Sequence, residues 1–211
     1  MVVLVNLASA SASEIFAAAI QDYGRGLVLG STTTGKGTAQ VQMDDLAYGQ
    51  ATLTQRKFYR ITGGSTQNKG VIPDINLVSI YEDDEYGERK AKNALKWDTI
   101  ATAPFVRVNN YSVVMPQLAR QSVQRQARDP QFIYINELRR IADENSARKV
   151  VSLNLGQRQQ QVLDTERKTL EAENQRRIAT GQKPYASWEV YQAALDAQGE
   201  IRGHMKRDQR P

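Results

Sequence analysis

The sequence contains no cysteine and only one histidine, His204, among its 211 residues. The absence of cysteine excludes a disulfide scaffold, a Cys/His zinc site and a cysteine nucleophile. His204 lies in the polar C-terminal tail, where it is a poor candidate for the base of a Ser-His-Asp hydrolase. Long apolar runs are also absent, because the longest uncharged segment, residues 1–13, is too short to span a bilayer.

The composition is that of a folded chain of one or two domains, with 40% hydrophobic and 24% charged residues. The net charge of +5 is unevenly distributed, since residues 99–211 carry 18 basic and 12 acidic side chains. The acidic side chains are interleaved with the basic ones, which favours a solvated helical surface over a nucleic-acid site. We therefore expect no nucleic acid among the partners.

The first part of the chain has an α/β pattern. Strands are predicted at Val2–Asn6, Leu27–Leu29, Ala39–Met43, Ala51–Tyr59 and Val71–Leu77. A helix is predicted at about Ala12–Tyr23, because Ser11 and Glu14 have capping-box spacing and Gly24 is a typical stop. A strand, a helix and a strand within about thirty residues predict a βαβ unit.

The later part of the chain is predicted to be mainly α-helical. Residues 81–104, with the acidic run Glu82–Glu85, are interpreted as a linker between a domain at 1–80 and a helical domain at 105–211. Helical spacing predicts an apolar stripe formed by Trp188, Tyr191 and Leu195. The same spacing predicts two i,i+4 ion pairs, one between Asp164 and Lys168 and one between Glu173 and Arg177.

One segment nearly matches a phosphate-binding loop. Residues 30–37 read G-S-T-T-T-G-K-G, but Gly37 replaces the Ser or Thr that would hold magnesium. Such a loop must open a helix, whereas the alternation at 38–43 predicts a strand. Nucleotide binding is therefore the less favoured alternative.

A second candidate site combines a serine with a lysine. Ser11 stands at the predicted helix N-terminus, where free N–H groups and the helix dipole would stabilise an oxyanion. Lysine is the remaining common base, and Lys36 lies between two glycines in an otherwise uncharged stretch. The residues alone leave open that Ser11 is a simple helix cap and Lys36 a surface lysine in a turn.

Several motifs, taken together, resemble the carboxyl-terminal processing proteases, and most closely their tail-specific branch. They are V-L-V-N with S-A-S-A-S-E at 3–14, T-G-K-G-T at 34–38, K-F-Y-R-I-T-G-G-S-T-Q-N-K-G-V-I-P-D-I at 57–75, N-A-L-K-W-D at 93–98, D-P-Q-F-I-Y-I at 129–135 and K-V-V-S-L-N at 149–154. The resemblance implies a serine endopeptidase with a Ser-Lys dyad. Residues 1–80 would be the C-terminal portion of the protease domain, and 105–211 the helical domain that follows it.

The resemblance also implies roles for individual residues. Ser11 would be the nucleophile, Lys36 the base, and Gln40 a residue that positions the lysine. The backbone N–H of Ala12 would be one oxyanion donor. No metal or other cofactor is implied.

The implied setting is the periplasm of a Gram-negative bacterium. Protein C-termini that are apolar and poorly folded would be the substrates, and an adaptor protein is a candidate partner. Members of this branch carry a signal peptide, a PDZ domain and the first part of the protease fold before this point, together with a second oxyanion donor. We therefore expect a C-terminal fragment with an exposed sheet edge. The alternative is an inactive remnant or a partner-binding module.

Overall fold

The computed structural model describes residues 1–44, 46, 48–80 and 87–208, and side chains up to residue 199. The chain divides into two compact units, Met1–Gln126 and Ala127–Pro211. The acidic run at 82–85 and the His204 side chain lie outside the described residues. The domain limits at 80 and 104 differ from this division and remain a prediction.

The first unit contains five strands and two α-helices within its described residues. In chain order these are β1 (Val2–Val5), α1 (Ala12–Asp22), β2 (Leu27–Gly30), β3 (Thr38–Met43), β4 (Ala51–Lys57), β5 (Ile75–Asn76) and α2 (Met115–Gln126), with a short 3-10 turn at Glu88–Lys90 before α2. The order agrees with the expected α/β pattern followed by helices.

A parallel sheet with the strand order β1-β2-β5 forms the centre of this unit. Helix α1 connects β1 to β2, which confirms the predicted βαβ unit. One face of the sheet packs against α1, and the shared core consists of Val5, Ala17, Ala18, Val28 and Val71. The predicted strand at 71–77 shortens to β5, because the Val71 N–H donates to the Thr33 hydroxyl at 2.7 Å and Pro73 has no N–H to donate.

Strands β3 and β4 form a separate two-stranded antiparallel ribbon. Val41 lies opposite Leu53, and Met43 opposite Ala51, so these pairs share one apolar face. The ribbon begins two residues after Lys36, so this lysine lies in the loop that connects β2 of the central sheet to β3 of the ribbon.

The second unit is built from α3 (Pro130–Ser146), α4 (Leu155–Ala179) and α5 (Trp188–Asp208). Ile141, Ala172 and Tyr191 are the apolar residues that are buried among the described residues of this unit. The predicted pairs are present, with Lys168 Nζ 2.9 Å from Asp164 and Arg177 Nη1 3.9 Å from Glu173. Of the predicted stripe, Tyr191 is buried and packs edge-on against Trp188. No described helix of either unit is both long and apolar enough to cross a bilayer.

Candidate active site

Ser11 occupies the sharp turn between the central sheet and α1. It is the N-cap of α1, with a φ of 55° and a ψ of −114°. Positive φ is unfavourable for a residue other than glycine, and such strain is typical of turns that present a nucleophile. The turn places Ser11 beside the first-turn N–H groups of the helix, which lack intrahelical acceptors.

The two neighbouring serines have local structural partners. The Ser13 hydroxyl donates to the Ala10 carbonyl at 2.8 Å. The Ser9 hydroxyl accepts from the Asn6 N–H at 3.1 Å. Both hydroxyls stabilise the turn around Ser11.

A buried glutamate connects the serine turn to the lysine loop. The Glu14 side chain is fully buried. Its Oε2 accepts from the Ser11 N–H at 2.8 Å and from the Lys36 N–H at 2.9 Å. Its Oε1 accepts from the Gly35 N–H at 2.7 Å and from the Thr33 hydroxyl. One carboxylate therefore holds the backbones of Ser11 and Lys36 against the same oxygen atom.

The two glycines around Lys36 allow close approach to a second loop. Gly35 has a φ of +86°, and a Cβ there would lie 2.9 Å from the carbonyl carbon of Asn68. A Cβ on Gly37 would lie 2.5 Å from the backbone nitrogen of Gln67. The Gly37 N–H instead donates to the side-chain oxygen of Gln67 at 2.8 Å. The G-K-G motif is thus required by backbone packing.

Gln67 and Glu14 are site residues that the sequence analysis did not assign to the site. Gln67 is fully buried, and its amide donates to Glu88 at 3.1 Å. The only available signals were the S-T-Q-N-K-G motif for Gln67 and the capping-box position for Glu14. Neither signal shows that the side chain reaches Lys36 or its neighbours.

The structure argues against nucleotide binding at the loop. A strand, β3, follows Lys36, whereas a phosphate-binding loop opens a helix. The amides of Gly35 and Lys36 donate to Glu14, and that of Gly37 donates to Gln67. These N–H groups, which would cradle phosphates, already have buried acceptors.

The other two predicted site residues are placed as follows. Ala12 is the exposed first residue of α1 and directly follows Ser11. Gln40 lies on β3 next to a β-bulge, and its amide donates to the Thr54 hydroxyl at 3.3 Å. The structure thus joins Ser11 to Lys36 through Glu14, and directs the side chain of Gln40 across the ribbon.

The arginine nearest to Asp22 along the chain, Arg25, is exposed, and Asp22 instead binds Arg60. The guanidinium contacts both carboxylate oxygens, at 2.9 and 2.5 Å. Asp22 points towards the 58–61 segment, so a remote arginine becomes its partner.

Comparison with known proteins identifies the family. The sequence profile described as the C-terminal domain of tail specific protease matches residues 81–210, and that of peptidase family S41 matches residues 1–77. The chain belongs to the tail-specific protease family. Its two matched regions correspond to the α/β part that contains Ser11 and Lys36 and to the helical part that follows.

Individual relatives agree with this membership. The chain is 41% identical over 192 residues to the tail-specific protease of Haemophilus influenzae, a match that covers 86% of the chain and 28% of that protein. It is 44% identical over 78 residues to the chloroplastic C-terminal processing peptidase of Tetradesmus obliquus, which covers 36% of the chain and 17% of the relative. The chain thus spans less than a third of the length of either relative.

A solved structure is also similar. The photosystem II D1 C-terminal processing protease shares 36% identity, with a TM-score of 0.34, over 43% of this chain and 25% of the other.

Proposed function

We propose that this chain carries the Ser-Lys catalytic centre of a tail-specific serine endopeptidase. The observation that supports this proposal most strongly is the shared acceptor Glu14. It receives the N–H of Ser11 at 2.8 Å and that of Lys36 at 2.9 Å. A nucleophile and a base must be held in a fixed mutual position, and a buried carboxylate bonded to both backbones supplies such a restraint.

The proposed reaction is an acyl transfer in two stages. The Ser11 oxygen attacks the scissile carbonyl carbon and loses its proton to the neutral Lys36 amine. The N–H of Ala12 and the positive end of α1 stabilise the oxyanion. When the C–N bond breaks, Lys36 returns the proton to the leaving amine. Lys36 then accepts a proton from water, whose oxygen attacks the acyl carbon. As the ester C–O bond breaks, Lys36 returns this proton to the Ser11 oxygen, and the new carboxyl terminus is released.

The remaining assignments complete the proposal. Gln40 positions Lys36, and no metal or other cofactor takes part. The substrates are proteins with apolar, poorly folded C-termini, an adaptor protein is a candidate partner, and the site of action is the periplasm. Residues 1–80 belong to the protease domain, and residues 105–211 form the helical domain after a linker.

The test is cleavage of an unfolded polypeptide with an apolar C-terminus. The chain is compared with its Ser11→Ala and Lys36→Ala variants, and with Ser13→Ala as a matched control in the same turn. We expect the first two variants to lose about 10³-fold or more in rate, because each removes a group that takes part in bond exchange. Ser13→Ala should retain most of the rate, since its hydroxyl only caps the Ala10 carbonyl.

Two outcomes would contradict the proposal. Cleavage that survives Ser11→Ala would assign the nucleophile elsewhere. Absence of cleavage by every form, from chains that circular dichroism shows to be folded, would favour the alternative of a partner-binding module.

A further inference from the structure

The connection between α3 and α4 exposes an extended apolar segment. Residues 148–153 have no helix or strand assignment. Val150 is 85% exposed, Val151 58% and Leu153 101%. Within the described part of the chain, the backbone groups of 149–151 form no hydrogen bond. Exposed β-branched residues with unpaired backbone groups are typical of an edge that accepts another strand.

A cavity of about 300 Å³ adjoins this segment. Its apolar lining is supplied by Val150, Val151, Val162 and Trp188. Its polar lining includes two arginines, Arg148 in the connection and Arg158 on α4. The size suits one or two small apolar side chains, and the arginines make one part of the lining strongly cationic.

These two arginines differ from several arginines of α3 and α4 in their partners. Arg140 binds the carboxylate of Glu144 on α3. Arg167 Nη2 lies 3.0 Å from a carboxylate oxygen of Asp164 on α4. Arg176 binds Glu173 at 2.6 Å. Arg148 and Arg158 have no carboxylate partner among the described residues. Among the described residues, the Arg158 guanidinium donates only to the Gln161 side chain, at 3.2 Å, so both guanidinium groups remain available to an anion.

We propose that this surface binds the apolar carboxyl terminus of a polypeptide. The bound chain adds as a strand along 149–151, and its last apolar side chains enter the cavity. Its terminal carboxylate binds Arg148 and Arg158, because a guanidinium matches a carboxylate with two parallel hydrogen bonds. Glu166 also lines the cavity and disfavours a second negative charge, so a single terminal carboxylate fits better than an acidic peptide.

The proposal takes from the proposed function only the class of ligand, a protein terminus. The site lies within the helical unit and requires no cleavage. The full chain carrying Ser11→Ala is therefore used, so that binding is measured whether or not the unaltered chain is a protease. The probe is a short fluorescent peptide that ends in apolar residues, offered with a free carboxylate or with a C-terminal amide, and binding is followed by fluorescence anisotropy.

The expected result is that amidation weakens binding by about tenfold, because a charge-assisted hydrogen bond is lost. Arg148→Gln combined with Arg158→Gln should weaken binding of the free acid to the level of the amide. The matched control combines Arg125→Gln with Arg128→Gln, which removes the same charge from two other exposed arginines and should leave the tenfold preference intact.

Several outcomes would overturn the proposal. Equal binding of acid and amide would remove the role of the carboxylate. A preference that persists in the Arg148/Arg158 variant would place it at another surface. Self-association that Val150→Asp abolishes would identify a second copy of the chain as the occupant. Conversely, loss of peptide binding in Val162→Asp, with unchanged helical content, would support the cavity as the place where the peptide binds.

Discussion

At the scale of single residues, the site depends on a carboxylate that takes no part in the proposed chemistry. Glu14 is a first-turn residue of α1 and would stabilise the helix N-terminus in any case. Its burial beneath the lysine loop gives it four donors, from Ser11, Thr33, Gly35 and Lys36. A buried charge is stable only when it is bonded in this way.

Replacement of Glu14 tests this role. Glu14→Ala leaves the donors of the lysine loop without an acceptor, and we expect a loss of about 3 kcal/mol in the free energy of unfolding. Glu14→Gln keeps the shape but brings an amide NH₂ against N–H donors, so it should also lower the cleavage rate. Urea unfolding and peptide cleavage measure the two effects.

A matched variant is Glu137→Ala, which removes a partly exposed glutamate paired with Arg140 on α3. Because exposed ion pairs contribute little, the urea midpoint should barely change. Equal effects of Glu14→Ala and Glu137→Ala would show that Glu14 does not organise the site.

At the scale of elements, α3 and α4 are joined by a charge network. Lys168 lies 3.1 Å from Glu144 on α3 and 2.9 Å from Asp164 on its own helix. Hydrogen bonds from Lys168 hold the pKa of both carboxyls below the ordinary values. A group with a lowered folded-state pKa contributes stability above its unfolded pKa, and this contribution is lost as the pH falls.

The helical unit should therefore lose thermal stability on acidification through the usual carboxyl range of about pH 4. Lys168→Met removes the shared amine, so we expect its melting temperature to fall less between neutral and acidic pH than that of the unaltered chain. Lys183→Met, which removes a lysine with no side-chain ion pair among the described residues, should retain the full pH dependence. Circular dichroism melts at several pH values and at low salt measure the difference, and parallel curves for all three proteins would contradict it.

At the scale of the whole molecule, the central sheet leaves apolar side chains of its edge strand β1 exposed on one face. Parallel sheets are normally buried on both faces. Here α1 covers one face, whereas Val2 and Leu4 on the other are 60% and 72% exposed. In addition, β1 has β2 as its one partner among the described strands. In the part of the chain that the structure describes, this apolar surface lies beside an unpaired edge of β1.

We expect this surface to cause self-association that increases with concentration, because burial of apolar area and an added strand both stabilise the associated form. Leu4→Lys should shift the chain towards monomer in sedimentation experiments. Leu163→Lys, a similar change at a residue of α4 that is 57% exposed, should not. If both variants associate like the unaltered chain, another surface is responsible.

Local features of this protein were predictable from its sequence. The strand, helix and strand order around α1 follows from a capping box, a terminating glycine and β-branched runs, all of which act within a few residues. The strand after Lys36 follows from simple alternation and was confirmed by β3. The expected strand at 71–77 was too long, because a threonine hydroxyl from a remote loop takes the Val71 N–H.

The sequence by itself therefore determined the order of elements and the motifs around Ser11 and Lys36, since these depend on neighbouring residues. Only the tertiary structure decided which side chains meet. Glu14 reaches the Lys36 loop across 22 residues, Gln67 reaches Gly37 across 30, and Asp22 reaches Arg60 across 38. Such contacts form when the sheet, the helix and the loops pack together, so the spacing of residues along the chain does not predict them.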